Sequence, residues 1–546
     1  MVNKILNHKS KTIFSAAFIL ATTALASRFL GLIRDRLLAG KFGAGDELDA
    51  YFAAFRLPDF VYSILIMGAV SAAFIPIFAE YFKRDENEAW RLTSGLLNLI
   101  LIILIVFCAL FIIFAPFLMP FIAPGFIGEK REMAIALTRI MFLSPLLLGI
   151  SSIFSGVLQY FHRFFVYSLA PIMYNLGIII GILFFVPSKG IVGLAWGVVL
   201  GAFLHLLIQL PSAIYSGWKW RKILTISHEG IRKIIKMMIP RTIGLAGTQI
   251  NFLAITAIAS TLMSGSIAVF NLSYNLQYVP IGIIGISFAT AVFPRLSRSF
   301  ADKNKEEFSS SFSSVFSQIL FLVMPIMVLF FLLRAQIVRI VLGTGQFGWS
   351  DTRLTAAALG IFTFGVFAQS LIPLVSRAFY SVHNTKTPVL ISLWSILINI
   401  FASLFFVWIL RGHNWLSSFI SQSLKLEDIN NFSVLALPMA YALAGIFNFI
   451  FLLQAFNKKI NFWKPQNILN SLSKIIASCV LMAISVYALL RIGNLFLNTR
   501  TFVGIFIQTA IAVIGGAIIY FISSFLFKSS ETKILMSRIF RKNGTG

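Results

Sequence analysis

The sequence predicts an all-α polytopic membrane protein of about 14 transmembrane helices, arranged as two pseudo-symmetric six-helix lobes plus two C-terminal helices. Three observations carry this. Of 546 residues, 58% are hydrophobic, 57 are Phe and only 12% are charged, with a mean hydropathy of +0.89, far outside the globular range. Apolar runs of about 20 residues or more recur along the whole chain. A faint internal repeat returns after about 220 residues.

In chain order the apolar runs fall near 12–39, 48–81, 91–119, 132–160, 165–186, 191–213, 234–263, 267–297, 309–333, 353–382, 388–410, 433–456, 468–490 and 502–527, separated by charged or Gly/Pro-containing breaks. The first is too long and too charged for a cleavable signal peptide and is expected to remain as a helix. It joins the second through the tight turn "KFGAGDE", which makes the two antiparallel neighbours. Pro58 in the second helix and Pro280 in the eighth interrupt the hydrogen-bond ladder, as kinks or as the ordinary proline of membrane helices. The expected organisation is an N-terminal lobe over 1–222, a C-terminal lobe over 223–460, a helix pair over 461–528 and a basic tail over 529–546.

The formal charge of +26 does not indicate nucleic acid, because no basic stretch is interleaved with aromatics in a soluble domain. Basic residues in a polytopic protein gather in cytoplasmic loops and face anionic lipid. Assigning alternate loops to opposite sides gives roughly 26 Lys and Arg on the side of both termini and roughly 11 on the other, which predicts cytoplasmic termini. The loop "SGWKWRKILTISHEGIRKIIK" and the tail "KSSETKILMSRIFRKNGTG" carry most of the bias.

The repeat pairs "AAFIPIFAEYFKRDENEAW" with "TAVFPRLSRSFADKNKEEF", matching Pro76 to Pro294 and Phe82 to Phe300. Ser155 and His162 recur as Ser376 and His383. Six helices separate the copies, so both lobes have the same orientation, related by an axis along the membrane normal.

About eight Lys and Arg fall inside the spans, and half of them, Arg28, Arg34, Arg36 and Arg56, lie in the first two helices. An ionised side chain in hydrocarbon costs several kcal/mol, so these positions demand a reason. Arg28 and Asp35 lie seven residues apart on one helical face, as do Asp49 and Arg56. These faces either close into an ion-pair cluster that fixes packing or line a hydrated cavity with surplus positive charge. Four arginines against Asp35, Asp49 and Asp59 favour the cavity, and a surplus guanidinium suits bidentate binding of phosphate or carboxylate. Arg36 can snorkel.

Little other chemistry is visible. The six His have no metal-ligand spacing, and Cys108 and Cys479 read as buried small hydrophobes. "GTGQFG" lacks the Lys and Ser/Thr of a phosphate-binding loop. No cofactor, metal site or catalytic constellation is expected, so the chain does not read as an enzyme.

The stretches "SRFLGLIRDRLLAGKFGAGDELDAYFAAFRLPDF", "GAVSAAFIPIFAEYF", "APGF", "RFFVYSLAPIMYN" and "NTKTPVLI", in this order, resemble the MurJ/MviN family of lipid II flippases in the MOP exporter superfamily. The resemblance covers essentially the whole chain. It implies two lobes around a cationic cavity, with the last two helices forming a groove for a polyprenyl tail. It also implies that Arg28, Arg34, Asp35 and Asp49 stand in and around that cavity, with Arg56 at a basic position of the same motif. Tyr62 and Ser63 stand where the family usually carries an Arg pair, and Asn275 where it carries a further arginine. Arg241, near the start of the seventh helix, either supplies a replacement charge or snorkels to the headgroups.

The function this implies is translocation of lipid II between leaflets of the bacterial cytoplasmic membrane for cell wall synthesis, with the cell-wall synthesis machinery as a further partner. The alternative is another undecaprenyl-pyrophosphate-linked saccharide, which would need the same phosphate site. A cation-coupled drug exporter would need acids where this chain has arginines. A lipid-linked glycosyl- or acyltransferase would need a catalytic acid, whereas Asp35 and Asp49 are more simply arginine partners. A non-transporting scaffold would show a sealed apolar core.

Overall fold

A computed structural model describes residues 13–67, 73–224, 228–412, 414–429, 431–459, 466–499, 501–529 and 531–532. The side chains of Met67, Arg241 and a few others, and the basic tail from 533 onward, lie outside the described residues. Among the described residues every regular element is helical, as the composition predicts. Eleven helices among the described residues are long and apolar enough to cross a membrane, and Glu229–Ile239 with Gly244–Ser260 makes a twelfth if taken as one span. Two further helices stand outside that set: Ile13–Phe42, which carries Arg28, Arg34, Asp35 and Arg36, and the second, which is broken into short pieces. With those two the count is consistent with fourteen.

The breaks have local causes. In the second helix Asp46–Ala54 and Arg56–Tyr62 meet at Phe55, three residues before Pro58, whose missing N–H leaves the Ala54 carbonyl without its helical donor. In the fourth, Gly128–Met141 and Leu143–Tyr160 meet at Phe142, three residues before Pro145. There the Ser144 hydroxyl donates to the Met141 carbonyl at 2.8 Å, replacing the bond that proline removes.

The chain packs as two compact units, residues 1–268 with 344–347, and residues 269–343 with 348–546. In the first, the fifth helix (Phe164–Ile180) and the sixth (Ile191–Tyr215) cross at glycines. A Cβ on Gly177 would lie 2.3 Å from Gly201 Cα, and one on Gly181 2.4 Å from Gly197 Cα, so no other residue permits this contact. The seventh helix, Glu229–Ser260, also packs in this unit, against the second.

In the second unit, Phe312 of the ninth helix (Lys305–Leu332) stacks on Phe456 of the twelfth (Ala436–Lys459) at 4.5 Å, and Phe379 of the tenth (Trp349–Ser381) meets Phe456 edge-on. The terminal pair, Gln466–Phe496 and Phe502–Leu526, is fastened to the ninth helix by the buried Tyr520 hydroxyl, which donates to the Phe321 carbonyl at 2.7 Å.

Backbone geometry follows the sequence repeat. The second helix contains a π-helical turn at Ser63–Met67 and the eighth one at Ile281–Ile286, and these turns begin as far apart as Pro76 and Pro294. His162 and His383, each ending a helix, both adopt left-handed backbone, with φ of 57° and 59°.

Candidate functional site

The charged stretch of the first helix is held by the fifth. Arg34 donates from Nε and Nη2 to Asp35 Oδ1, at 3.0 and 2.8 Å, and from Nη1 to Asn175 Oδ1 at 3.1 Å. Asn175 is itself oriented, its amide donating to the Pro171 carbonyl at 3.1 Å and to Ser27 Oγ at 3.3 Å. The guanidinium therefore stands in a fixed plane with donor capacity left on both terminal nitrogens. Asp35 is buried while the Arg34 side chain keeps 23% exposure, so this pair is not sealed from its surroundings. Arg28, two turns earlier, is exposed.

Asp49 is 1% exposed and takes three donors. Its Oδ2 accepts from Lys130 Nζ and from the Gly265 N–H, each at 2.8 Å, and its Oδ1 from the Ala268 N–H at 2.9 Å. It thus caps the start of the helix beginning at Ser266, where free N–H groups favour a carboxylate. Lys130 also reaches Asp46 at 2.6 Å and lies 4.5 Å from the centre of the Phe126 ring.

Arg56 belongs to a third group of contacts. It is 8% exposed, donates from Nε to Thr256 Oγ1 at 2.7 Å and lies over the Phe252 ring at 5.3 Å. Two more bonds join the same helices: Gln249 Nε2 donates to Ser63 Oγ at 2.8 Å, and the Thr242 hydroxyl to the Ile64 carbonyl at 3.3 Å. Thr242, Gln249 and Thr256 are spaced by seven, so one polar stripe of the seventh helix fastens the kinked, π-turned part of the second.

Of the residues singled out in the sequence, Arg34 and Asp35 are brought together. Asp49 is bound instead by Lys130 and two backbone amides, and Arg56 by the seventh helix. Tyr62 and Ser63 make neutral contacts, the former with Ser152 Oγ at 3.3 Å. The Arg241 side chain lies outside the described residues. Asn175, Lys130 and the Thr242/Gln249/Thr256 stripe were not singled out beforehand. A polar residue recurring every seventh position in an apolar span was the available signal. Among the described residues no three His, Cys, Asp or Glu side chains are grouped to hold a metal.

Comparison with known proteins places this geometry. Residues 38–507 match the family model "Lipid II flippase MurJ". The probable lipid II flippase MurJ of Buchnera aphidicola subsp. Baizongia pistaciae is 30% identical over 488 residues, covering 88% of this chain and 90% of that protein. A solved structure described as lipid II flippase MurJ in an inward closed conformation superposes with a TM-score of 0.75 at 25% identity, covering 93% of this chain and 98% of that one. An inward-facing multidrug resistance MATE family transporter of the MOP superfamily shares the fold, with a TM-score of 0.64 at 15% identity over 80% of this chain and 98% of its own. The chain belongs to the MurJ lipid II flippase family, within the MOP superfamily of multi-pass membrane transporters.

Proposed function

We propose that this chain carries lipid II from the inner to the outer leaflet of the cytoplasmic membrane. The carrying observation is Arg34, held planar by Asp35 and Asn175 yet partly exposed, in a chain of this family. A diphosphate offers paired oxygens to such a fork, and charge-assisted bidentate bonds are the strong ones. Arg28 and Arg56 add positive charge along the same two helices, Asp35 positions Arg34, and Asp49 holds the helix ends around Gly265 together. Arg241, on the helix that carries Thr242 and Gln249, is proposed as a further contact for the headgroup. The polyprenyl chain stays with lipid along the terminal helix pair.

Transport proceeds by alternating access of the two repeat-related lobes, 1–222 and 223–460, about the headgroup. Both termini are cytoplasmic. With the interior negative, outward movement of an anionic headgroup is favoured by about 2.3 kcal/mol per charge per 100 mV. No covalent chemistry is required of the protein. Basic loops on the cytoplasmic side meet anionic lipid, and the cell-wall synthesis machinery receives the product. Another undecaprenyl-linked saccharide would use the same phosphate contacts, but family membership weighs against it. The test is complementation of a conditional lipid II flippase depletion strain: growth and normal shape are expected, and lysis at normal membrane abundance would overturn the reading.

A further inference from the structure

Lys and Arg are sparse in the loops opposite the termini, roughly 11 in all, yet four of them, Arg334, Arg339, Arg353 and Lys425, line one cavity of about 410 Å³ in the second unit. That volume lies in the range of small-ligand sites. Its walls come from the short helix Arg334–Val341, the N-terminal turns of the tenth helix, the end of Trp415–Leu424 and the adjoining ends of the terminal pair. The side chains are positioned by their surroundings. Arg339 donates from Nη1 to the Thr499 carbonyl at 3.1 Å and lies 5.7 Å from the centre of the Trp349 ring. Arg334 donates from Nη1 to the Phe331 carbonyl at 2.8 Å and lies 5.0 Å over that ring. Lys425 sits in left-handed backbone at φ 57°, as the cap of its helix. Gln508, 4% exposed, donates to the Leu490 carbonyl and to Asn494 Oδ1 at the cavity's edge.

Arg353 pairs with Asp428, whose side chain is largely exposed, whereas Arg334 has no carboxylate within ion-pair distance among the described residues. A site built of oriented guanidinium and ammonium donors calls for an anion with several oxygens. Apolar side chains complete the lining: Leu332 and the buried Ile505 stand in it, and Phe502, Val503 and Phe506, neighbours of Ile505 along the last helix, are exposed. The ligand therefore carries its phosphate at the end of a hydrocarbon body.

We infer that this cavity is a second phosphate site, separate from the Arg34 group, which binds the headgroup of a lipid-borne phosphate: an anionic phospholipid or a polyprenyl diphosphate. Its placement at the outer surface rests on the proposed orientation of the termini, whereas the binding itself does not.

The test uses the purified full-length chain in detergent, with bound lipid followed by native mass spectrometry during titration with phosphatidylglycerol, undecaprenyl diphosphate or phosphatidylcholine. The wild type should retain at least one of the two anionic lipids in preference to phosphatidylcholine, whose phosphate is neutralised by its own ammonium, and Arg334→Gln with Arg339→Gln should weaken that retention by about 10-fold or more. Dependence of phosphatidylglycerol alone on the arginines identifies a phospholipid site, and dependence of undecaprenyl diphosphate alone identifies a site for the diphosphate. Should the double variant fail to fold, the exposed Lys425→Gln replaces it, with an expected loss of a few-fold. Equal retention of all three lipids by wild type and folded variants would overturn the inference. Because binding is read in detergent, its failure is distinguishable from a failure of the proposed transport or orientation.

Discussion

Arg56 donates its Nε–H to Thr256 at 2.7 Å, across 200 residues of sequence, and so ties the kinked second helix to the seventh. The bond matters because the second helix cannot satisfy itself there: Pro58 removes one ladder bond, and the π turn at Ser63–Met67 displaces others. Thr256→Val removes the acceptor and leaves a charged donor short of a partner. The expected destabilisation is about 1–3 kcal/mol, toward the lower end because membrane helices find substitute partners. Thermal unfolding in detergent measures it. Gln249→Leu and Thr242→Val should cost less, and an undiminished midpoint in the triple variant would show that the stripe fastens nothing.

Arg34→Ala should abolish transport while the protein remains inserted, since its side chain is partly exposed and the first helix runs 30 residues with no charge before Arg28. Arg28→Ala should do the same. The check is complementation alongside membrane abundance. Abundance falling in step with activity would make these arginines packing elements. Asn175→Leu removes one of the two groups that orient Arg34 and should lower activity by about 10-fold without abolishing it.

Lys130→Met leaves the Asp49 carboxylate buried against two backbone amides without its counter-charge, which should cost about 3 kcal/mol or more. Asp49→Asn in the same chain removes the uncompensated charge and should restore part of the loss. A double-mutant cycle in unfolding midpoint measures the coupling, and strictly additive effects would show that Lys130 and Asp49 act independently.

Under the proposed orientation, which rests on the Lys and Arg bias between alternate loops, an alkaline phosphatase fused after Gly546 should be inactive and a fluorescent protein there bright. The reverse pattern would invert every loop and with it the direction of the helix pairs.

The helical spans were legible because an apolar run of membrane length has one stable outcome in lipid, a helix with its backbone bonds closed. The repeat was legible through Pro76 and Pro294, and the matching π turns and left-handed His162 and His383 show how far it reaches into backbone geometry. Partners were not legible. A seven-residue spacing relates Asp49 to Arg56 along one helix, but tertiary packing gives Asp49 to Lys130, 81 residues on, and Arg56 to Thr256. The Thr242, Gln249 and Thr256 stripe was present in the sequence, yet its residues are uncharged, and a search led by the cost of buried charge passes over neutral donors.

The most direct test of transport is the exposure of lipid II in the outer leaflet of a flippase-depleted strain that carries this chain. An enzyme that cleaves lipid II is added outside the cells, where only outward-facing molecules are accessible, and the released headgroup is counted. The wild-type chain should restore cleavage, and Arg34→Ala at equal membrane abundance should not. Lipid II that stays protected in cells expressing the abundant wild-type chain would contradict the account.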